Sequence, residues 1–306
     1  MTKLKIAKSI NDLSDEILFS NDLTEQVSSW LMKNRKSQTM KTEIKTEDIV
    51  GHHAIVTKND KKAQKTIINA LSARFTEAEF LTEEKARGAN IITSKNYQEI
   101  LKKQLVFGID PLDGTSQYKN QLYEWSVSIG VMKNGEHIAG AIAAPAILNG
   151  SAIVGEKNIG VWLKEENKWK RTLITAKKTV QDSVVYIGPD IFWMKQYNGF
   201  INKISKEART TNCIGSCALG LALVAAGRID ALIQPVQCPW DWFAGYPLVE
   251  AADGKFQFYH YRDGIPIPME KPDLESYDPS KRQTAFIAGN PKIVDWLFET
   301  LLIEWN

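Results

Sequence analysis

Cysteine is scarce in this 306-residue chain: Cys213, Cys217 and Cys238 are all there is. Three cysteines make no disulfide framework and suit a reducing compartment, where they serve as packing residues. No apolar run approaches the length of a membrane span, and the opening MTKLKIAKSINDLSDEILFS lacks the apolar centre of a secretion signal. Neither sign of charge dominates, the net value being +2, so no strong field draws the chain to nucleic acid or an anionic membrane. A G-x₄-G-K-[ST] phosphate loop is missing, which excludes that nucleotide-binding class. The Cys-x₅-Arg of cysteine phosphatases is missing too, since Leu219, Leu223 and Ala244 stand at the arginine positions. These absences leave a soluble, cytoplasmic protein with neither a nucleic acid nor a membrane as partner. At 43% hydrophobic and 24% charged residues its composition is that of an ordinary globular chain, long enough for two domains.

Apolar spacing at Leu13, Ile17, Leu18, Leu23, Val27, Trp30 and Leu31 predicts a helix over 11–36. The lysine-rich 37–50 stretch reads as a surface loop, one that could close over a substrate. A strand then runs into a helix capped by Asn59 or Asp60, with Ala63, Ile67, Ile68 and Leu71 on one face. From 105 to 165 short β-rich segments separated by hairpin pairs such as Asn-Gly predict a mostly antiparallel sheet. After 178 the pattern alternates: strands at DSVVYIGP, DALIQPV, KFQFYHY and TAFIAGN, helices over 191–207, CALGLALVAAGR, WDWFAGYPLVEAADG and the closing PKIVDWLFETLLIEW. Alternation predicts an α/β layer. The expected division is therefore residues 1–178, an α+β domain with an antiparallel sheet, and 179–306, an α/β domain closing over the site.

Chemistry concentrates in GIDPLDGTSQY, residues 108–118. Pro111 and Gly114 alone would make it a tight turn. Asp110 and Asp113, however, follow an apolar strand with no cation between Gln104 and Lys119; Glu83 and Glu84 follow EFLT, and Asp241 stands between two tryptophans. Carboxylates beside apolar segments are costly unless compensated. Oxygen ligands and few histidines point to Mg²⁺ or a similar ion as the shared compensation. If a short helix starts after Asp113, the amides of Gly114, Thr115 and Ser116 can hold an anion. Metal on one side and amides on the other suit phosphoryl chemistry.

DPLDGTSQY resembles the D-P-[IL]-D-G-T motif of the inositol monophosphatase family, the lithium-sensitive, magnesium-dependent phosphatases. FLTEE, IVTKND, WSVSIGVMKNGEHIAGAI, GSCALGLALVAAGRIDALI and CPWDWFAGYPLVEAADG resemble further family motifs in the same order. The resemblance implies a layered αβαβα sandwich, two or three Mg²⁺ ions and a homodimer. It implies that Glu83, Asp110, the Leu112 carbonyl, Asp113 and Asp241 hold the metals, and that Thr115 and Asp60 help Glu83 activate water. Gly114, Thr115, Ser116, Gly215, Ser216, Cys217, Gln234 and Asp241 would contact phosphate or substrate, and Glu84 would orient Glu83.

Several positions depart from the family pattern. Thr82 replaces a glycine, Trp242 and Phe243 replace small residues, and the segment between Glu84 and Asp110 is longer. Gln234 stands where inositol-selective members carry a glutamate, which implies a wider substrate range admitting a second phosphate or carboxylate; Trp242, Phe243 and the 37–50 loop are the other candidates for substrate contact. Inositol monophosphate is the first expected substrate. Another polyol or sugar phosphate, histidinol phosphate, fructose 1,6-bisphosphate and a 3′(2′),5′-bisphosphate nucleotide follow. Rival classes fit less well: the aspartates are not spaced as in D-x-D-x-[TV] phosphatases, and a non-catalytic interaction protein would be expected to have lost a ligand. Asp60 read alone is a helix cap, and His52-His53 a surface pair with no third ligand nearby.

Overall fold

In the computed structural model the described residues are 9–35, 42–44, 55–86, 88, 90–93, 96–147, 150–175, 178–274 and 284–305. His52, His53 and the 37–50 loop lie outside them, except for 42–44. Helices α1 (Asp15–Asn34) and α2 (Lys58–Arg74) bury the expected stripes, Ile17, Leu23, Val27 and Leu31 on one and Ala63, Ile67 and Leu71 on the other. The cap of α2 differs from expectation. Thr57 is the N-cap: its hydroxyl accepts from the Asn59 amide at 3.1 Å, and the Asp60 carboxylate accepts from the Thr57 amide at 3.1 Å. Such a reciprocal box satisfies two orphan amides, which Asn59 or Asp60 as cap could not.

The described residues form fifteen strands. A small pair, β1 (Thr42–Ile44) and β2 (Ile55–Thr57), precedes a seven-stranded sheet of β3 (Glu79–Thr82), β4 (Leu105–Asp113), β5 (Ser126–Lys133), β6 (Glu136–Ala144), β7 (Ser151–Glu156), β8 (Gly160–Glu165) and β9 (Lys168–Thr172). Neighbours in that sheet are antiparallel except β3 and β4. Asn134 and Gly135, both with positive φ, turn β5 into β6 as the Asn-Gly pair predicted. Strand β9, KWKRT, was not anticipated; as the polar edge it has neither alternation nor an apolar run.

The second sheet has six strands in the order β11-β10-β12-β15-β13-β14: β10 (Val184–Ile187), β11 (Thr210–Cys213), β12 (Ala231–Gln237), β13 (Lys255–Arg262), β14 (Ile265–Met269) and β15 (Thr284–Gly289). Strand β14 also escaped prediction, because Pro266 and Pro268 argue against a strand unless it is an edge. Short α3 (Thr115–Lys119) sits beside the first sheet; α4 (Asn198–Glu207), α5 (Cys217–Ala225), α6 (Pro239–Trp242), α7 (Gly245–Ala251) and α8 (Pro291–Ile303) belong to the later half. The helix expected over 191–207 begins only at Asn198, preceded by 3₁₀ turns at 189–193 and 195–197 that Met194, in an extended conformation, separates.

Layers stack as αβαβα. Helices α1 and α2 cover the outer face of the first sheet through Phe107, Ile109, Val127 and Ile129. Helices α5 and α7 fill the middle, sharing one core with Val106, Met132 and Ile142 of the first sheet and Leu232, Phe258 and Phe286 of the second. Helices α4 and α8 cover the far face through Phe200, Ile204, Leu297 and Leu301. The chain crosses from one sheet to the other between Thr172 and Val184, where the 1–178 and 179–306 division is proposed.

One contact sets how closely the middle layer approaches the first sheet. The strand register aligns Gly108 with Gly130, Gly130 with Gly140 and Gly140 with Gly155. Into this side-chain-free row drops the α6–α7 junction: a Cβ on Gly108 would lie 2.3 Å from Phe243 Cγ, on Gly130 2.6 Å from the Phe243 oxygen, and on Gly140 2.0 Å from the Ala244 oxygen. Pro247 explains why the single helix expected over 240–254 is broken there, since it has no N–H for the carbonyl four residues back, Phe243. Trp242 and Phe243, offered from sequence as substrate contacts, are wholly buried in this packing. Their bulk fills space that the row of glycines leaves open.

The row yields a prediction. Gly140→Ala places a methyl on the Ala244 carbonyl, so the urea midpoint should fall by an amount equivalent to about 1–3 kcal/mol, the usual cost of overpacking. Gly88→Ala, whose Cβ would meet nothing nearer than 3.5 Å, is the control and should change little. An unchanged midpoint for Gly140→Ala would show that the junction is not held by the sheet.

Candidate active site

Strand β4 carries the two aspartates, and simple alternation would send residues three apart to opposite faces. The register solves this. Asp110 pairs with Ser128 but Asp113 with Ser126, so β4 holds one more residue than β5 across this stretch. That bulge at Pro111 and Leu112 brings both carboxylates to one cavity. Asp110 lies two residues beyond Gly108, on the face where α6 docks. Asp110 Oδ1 accepts from the Leu112 amide at 3.0 Å. Asp113 Oδ2 accepts from Ser216 Oγ and from the Ala218 amide, each at 2.6 Å, which joins the first sheet to the N-terminus of α5.

Gly114 then turns the chain with φ +85°, and a Cβ there would lie 2.7 Å from the Glu124 carbonyl. Only glycine fits on both counts. Helix α3 starts at once, so the amides of its first turn have no carbonyl partner within the helix. Tyr118 anchors it: the hydroxyl donates to the Leu31 carbonyl at 2.9 Å and accepts from Asn59 Nδ2 at 2.8 Å.

Glu83 follows β3, its backbone held by the next residue's grip on α2. Gln64 Oε1 accepts from the Glu84 amide at 2.9 Å and Gln64 Nε2 donates to the Glu84 carbonyl at 2.7 Å. Gln64 was missed from sequence; a buried glutamine on an otherwise polar helix is no signal. Asp241 comes from α6, where its Oδ2 accepts from the Cys238 amide at 2.8 Å.

Glu83, Asp110, Asp113 and Asp241 line one cavity of about 370 Å³ with Leu112, Gly114, Thr115, Ser116, Gly215, Cys217 and Gln234. Asp60 and Ser216 do not line it. Asp60 lies beneath, wholly buried, and meets the cavity through Thr115, whose hydroxyl is 2.9 Å from Asp60 Oδ1 and 3.0 Å from the Leu112 carbonyl. It is thus both the capping-box partner of Thr57 and the partner of Thr115. Ser216, expected to touch phosphate, is wholly buried; its hydroxyl donates to Asp113 and accepts from the Leu219 amide at 3.3 Å as the cap of α5. Ile55, Gln117, Pro189, Asp190, Ile214 and Gln237 also line the cavity and were not anticipated.

Electrostatics match the crowding. Burial, then the charges of Glu83, Asp113 and Asp241, hold the Asp110 pKa well above the carboxylate range. Burial pushes Asp113 up to about 6 against the hydrogen bonds of Ser216 and Ala218, and pushes Asp60 up to about 6 against those of Thr57 and Thr115, with Glu83 adding to both. Glu83 is close enough to Asp110 to share a hydrogen bond, which two ionised carboxylates cannot do. A proton or a cation has to stand between them. Among the described residues no three acidic, histidine or cysteine groups form a metal-ligand set on distance alone. The fit to a cation rests on the shared cavity and this repulsion, and the donors, all oxygen, suit Mg²⁺.

Comparison with known proteins gives the same direction. The family model for the inositol monophosphatase family matches residues 12–290. An inositol-1-monophosphatase of Bacillus subtilis (strain 168) is 28% identical over 287 residues, covering 92% of this chain and 97% of that protein. A protein named Nus factor SuhB in Escherichia coli (strain K12) is 29% identical over 208 residues, 67% of this chain and 72% of that one. Among solved structures, the extragenic suppressor protein suhB of Bartonella henselae superposes with a TM-score of 0.76 at 25% identity, covering 94% of this chain and 98% of that one.

The clustered acids predict how the protein responds to metal. Asp60 and Asp113 titrate higher in the folded than in the unfolded chain, so their contribution is present below pH about 4 and lost as pH rises through about 6. Mg²⁺ at a hundred times its Kd should raise stability by about 2.7 kcal/mol at pH 7.5. Asp110→Asn should lose more than half of that gain while melting no lower than wild type in chelator. Equal Mg²⁺ shifts in both proteins would remove Asp110 from the site.

Proposed function

The chain belongs to the inositol monophosphatase family, and from that premise we propose that it is a Mg²⁺-dependent phosphatase hydrolysing a small phosphate monoester, with inositol monophosphate or a similar polyol phosphate as substrate. The observation that carries this reading is the meeting of carboxylates from β3, β4 and α6 in one cavity beside the open first turn of α3. Two or three Mg²⁺ ions, when bound, would neutralise the phosphate and acidify the attacking water. Glu83, Asp110, the Leu112 carbonyl, Asp113 and Asp241 would hold them. The Gly114, Thr115 and Ser116 amides, with Gly215 and Cys217 opposite, would orient the phosphate oxygens. Glu83, helped by Thr115 and its hydrogen-bonded partner Asp60, would take a proton from the water as it attacks phosphorus in line. The P–O ester bond breaks, the alcohol leaves with a proton from water, and no covalent enzyme intermediate forms. By the same resemblance the protein would act as a cytoplasmic homodimer. Among the described residues no helix is long and apolar enough to cross a membrane.

Relatives named Nus factor suggest an interaction role as a second reading. Such a role alone would not require four costly carboxylates to be kept together around one cavity.

Phosphate release from inositol monophosphate should need Mg²⁺, vanish with EDTA and return on adding the metal. Asp241→Asn should lower kcat by at least about a hundredfold, as expected on losing a key electrostatic group. Li⁺ should inhibit without competing with substrate. Full turnover in chelator would sink the proposal; insensitivity to Li⁺ alone would remove only the lithium-sensitive assignment.

A further inference from the structure

The device that seats the two aspartates of β4 recurs in the second sheet. Strand β12 carries Gln234-Pro235-Val236-Gln237, with the spacing of Asp110-Pro111-Leu112-Asp113. Gln234 pairs with Phe286 but Gln237 with Thr284, so β12 also holds one extra residue. A proline in a strand flanked on both sides, here by β10 and β15, is tolerated at such a bulge. Tyr261 pins it, the hydroxyl donating to the Pro235 carbonyl at 3.3 Å. Both glutamines thereby line the cavity, as both aspartates do.

The two carboxamides are not equivalent. Gln234 is 1% exposed and lies across Gly188, where a Cβ would stand 1.8 Å from Gln234 Oε1. The same oxygen accepts from Gln237 Nε2 at 2.9 Å. Gln237 is the more open of the two at 6%. One of its N–H groups is spent on Gln234, which leaves the other N–H and the carbonyl oxygen for the cavity. A donor beside an acceptor on a neutral group suits hydroxyls, each of which is both. Phosphate held at β4 and α3 leaves this wall to the alcohol part of the ester. Resting on the phosphatase reading above, we propose that Gln237, rather than Gln234, is the specificity-determining residue for the alcohol: its carboxamide takes adjacent hydroxyls, and Gln234 positions it. The class favoured is a phosphate ester whose alcohol, chain or ring, carries neighbouring hydroxyls beyond the ester carbon. An ester without them leaves the donor and acceptor of Gln237 unpaired, and that makes it a poor substrate.

The test compares glycerol 1-phosphate with propyl phosphate, the same chain without hydroxyls, on the Mg²⁺-loaded full chain. It reads the ratio of the two kcat/KM values, which partial misfolding does not alter. Wild type should favour glycerol 1-phosphate by at least about tenfold, and Gln237→Met, of like length but without the hydrogen bonds, should cut that ratio by about tenfold. Gln234→Glu keeps an acceptor for Gln237 Nε2 and should retain most of the ratio. Gly188→Ala is compatible with the backbone at φ −69° but pushes the Gln234 carboxamide aside, so it should lower the ratio through position alone. A wild type without the preference, a ratio unchanged in Gln237→Met, or a larger fall in Gln234→Glu than in Gln237→Met overturns the proposal and leaves the phosphatase standing. So does hydrolysis of inositol monophosphate with none of glycerol 1-phosphate. Failure to hydrolyse any of the three esters overturns both.

Discussion

The contact between the glycine row and the α6–α7 junction governs the distance between the two halves of the site. Asp110 points from the first sheet into the middle layer, and Asp241 is carried on α6 within that layer. Without a bare strip across β4, β5 and β6 the junction would stand off by the width of a side chain. Phe243 lies along the strip and the Ala244 carbonyl presses on Gly140. Trp242 packs beside it on Phe258 of the second sheet, rings 5.3 Å apart. The same residues that close the core therefore fix the cavity.

Within the first sheet the bulge does the complementary work. It sets Asp113 on the cavity side and hands its second function, a bond to Ser216 and the Ala218 amide, to the start of α5. Asp113 thus links the sheets while contributing to the site. Four acids held this way repel one another, and the raised pKa values of Asp110 and Asp113 fit a site that favours a positive occupant. The cost is borne by a large shared core and by amide bonds to Asp110, Asp113 and Asp241.

How much of this could be read in advance follows from what each residue must satisfy. The meeting of Glu83, Asp110, Asp113 and Asp241 in one cavity was legible because desolvated carboxylates without nearby cations are rare, and because the resemblance supplied their order. Long amphipathic helices were legible from period alone. Ser216 was assigned to phosphate, whereas it caps α5 and supports Asp113; a serine before a helix carries both meanings. Asp190 escaped notice because one acid in GPDIFW looks like any turn residue until the fold sets it in the cavity lining. The glycines of the row read as weak strand residues one at a time, and only strand register aligns them. Edge strands β9 and β14 failed for the opposite reason: their polarity and prolines, which make good edges, make poor strand signals.

The central claim is that carboxylates from β3, β4 and α6 form a single cation site. Diffraction from crystals grown with Mn²⁺ in place of Mg²⁺, recorded at the manganese edge, tests it most directly. The account predicts anomalous peaks inside the cavity bounded by Glu83, Asp110, Asp113 and Asp241, lost or weakened in Asp110→Asn. A well-ordered cavity with no anomalous peak at saturating Mn²⁺ would contradict it.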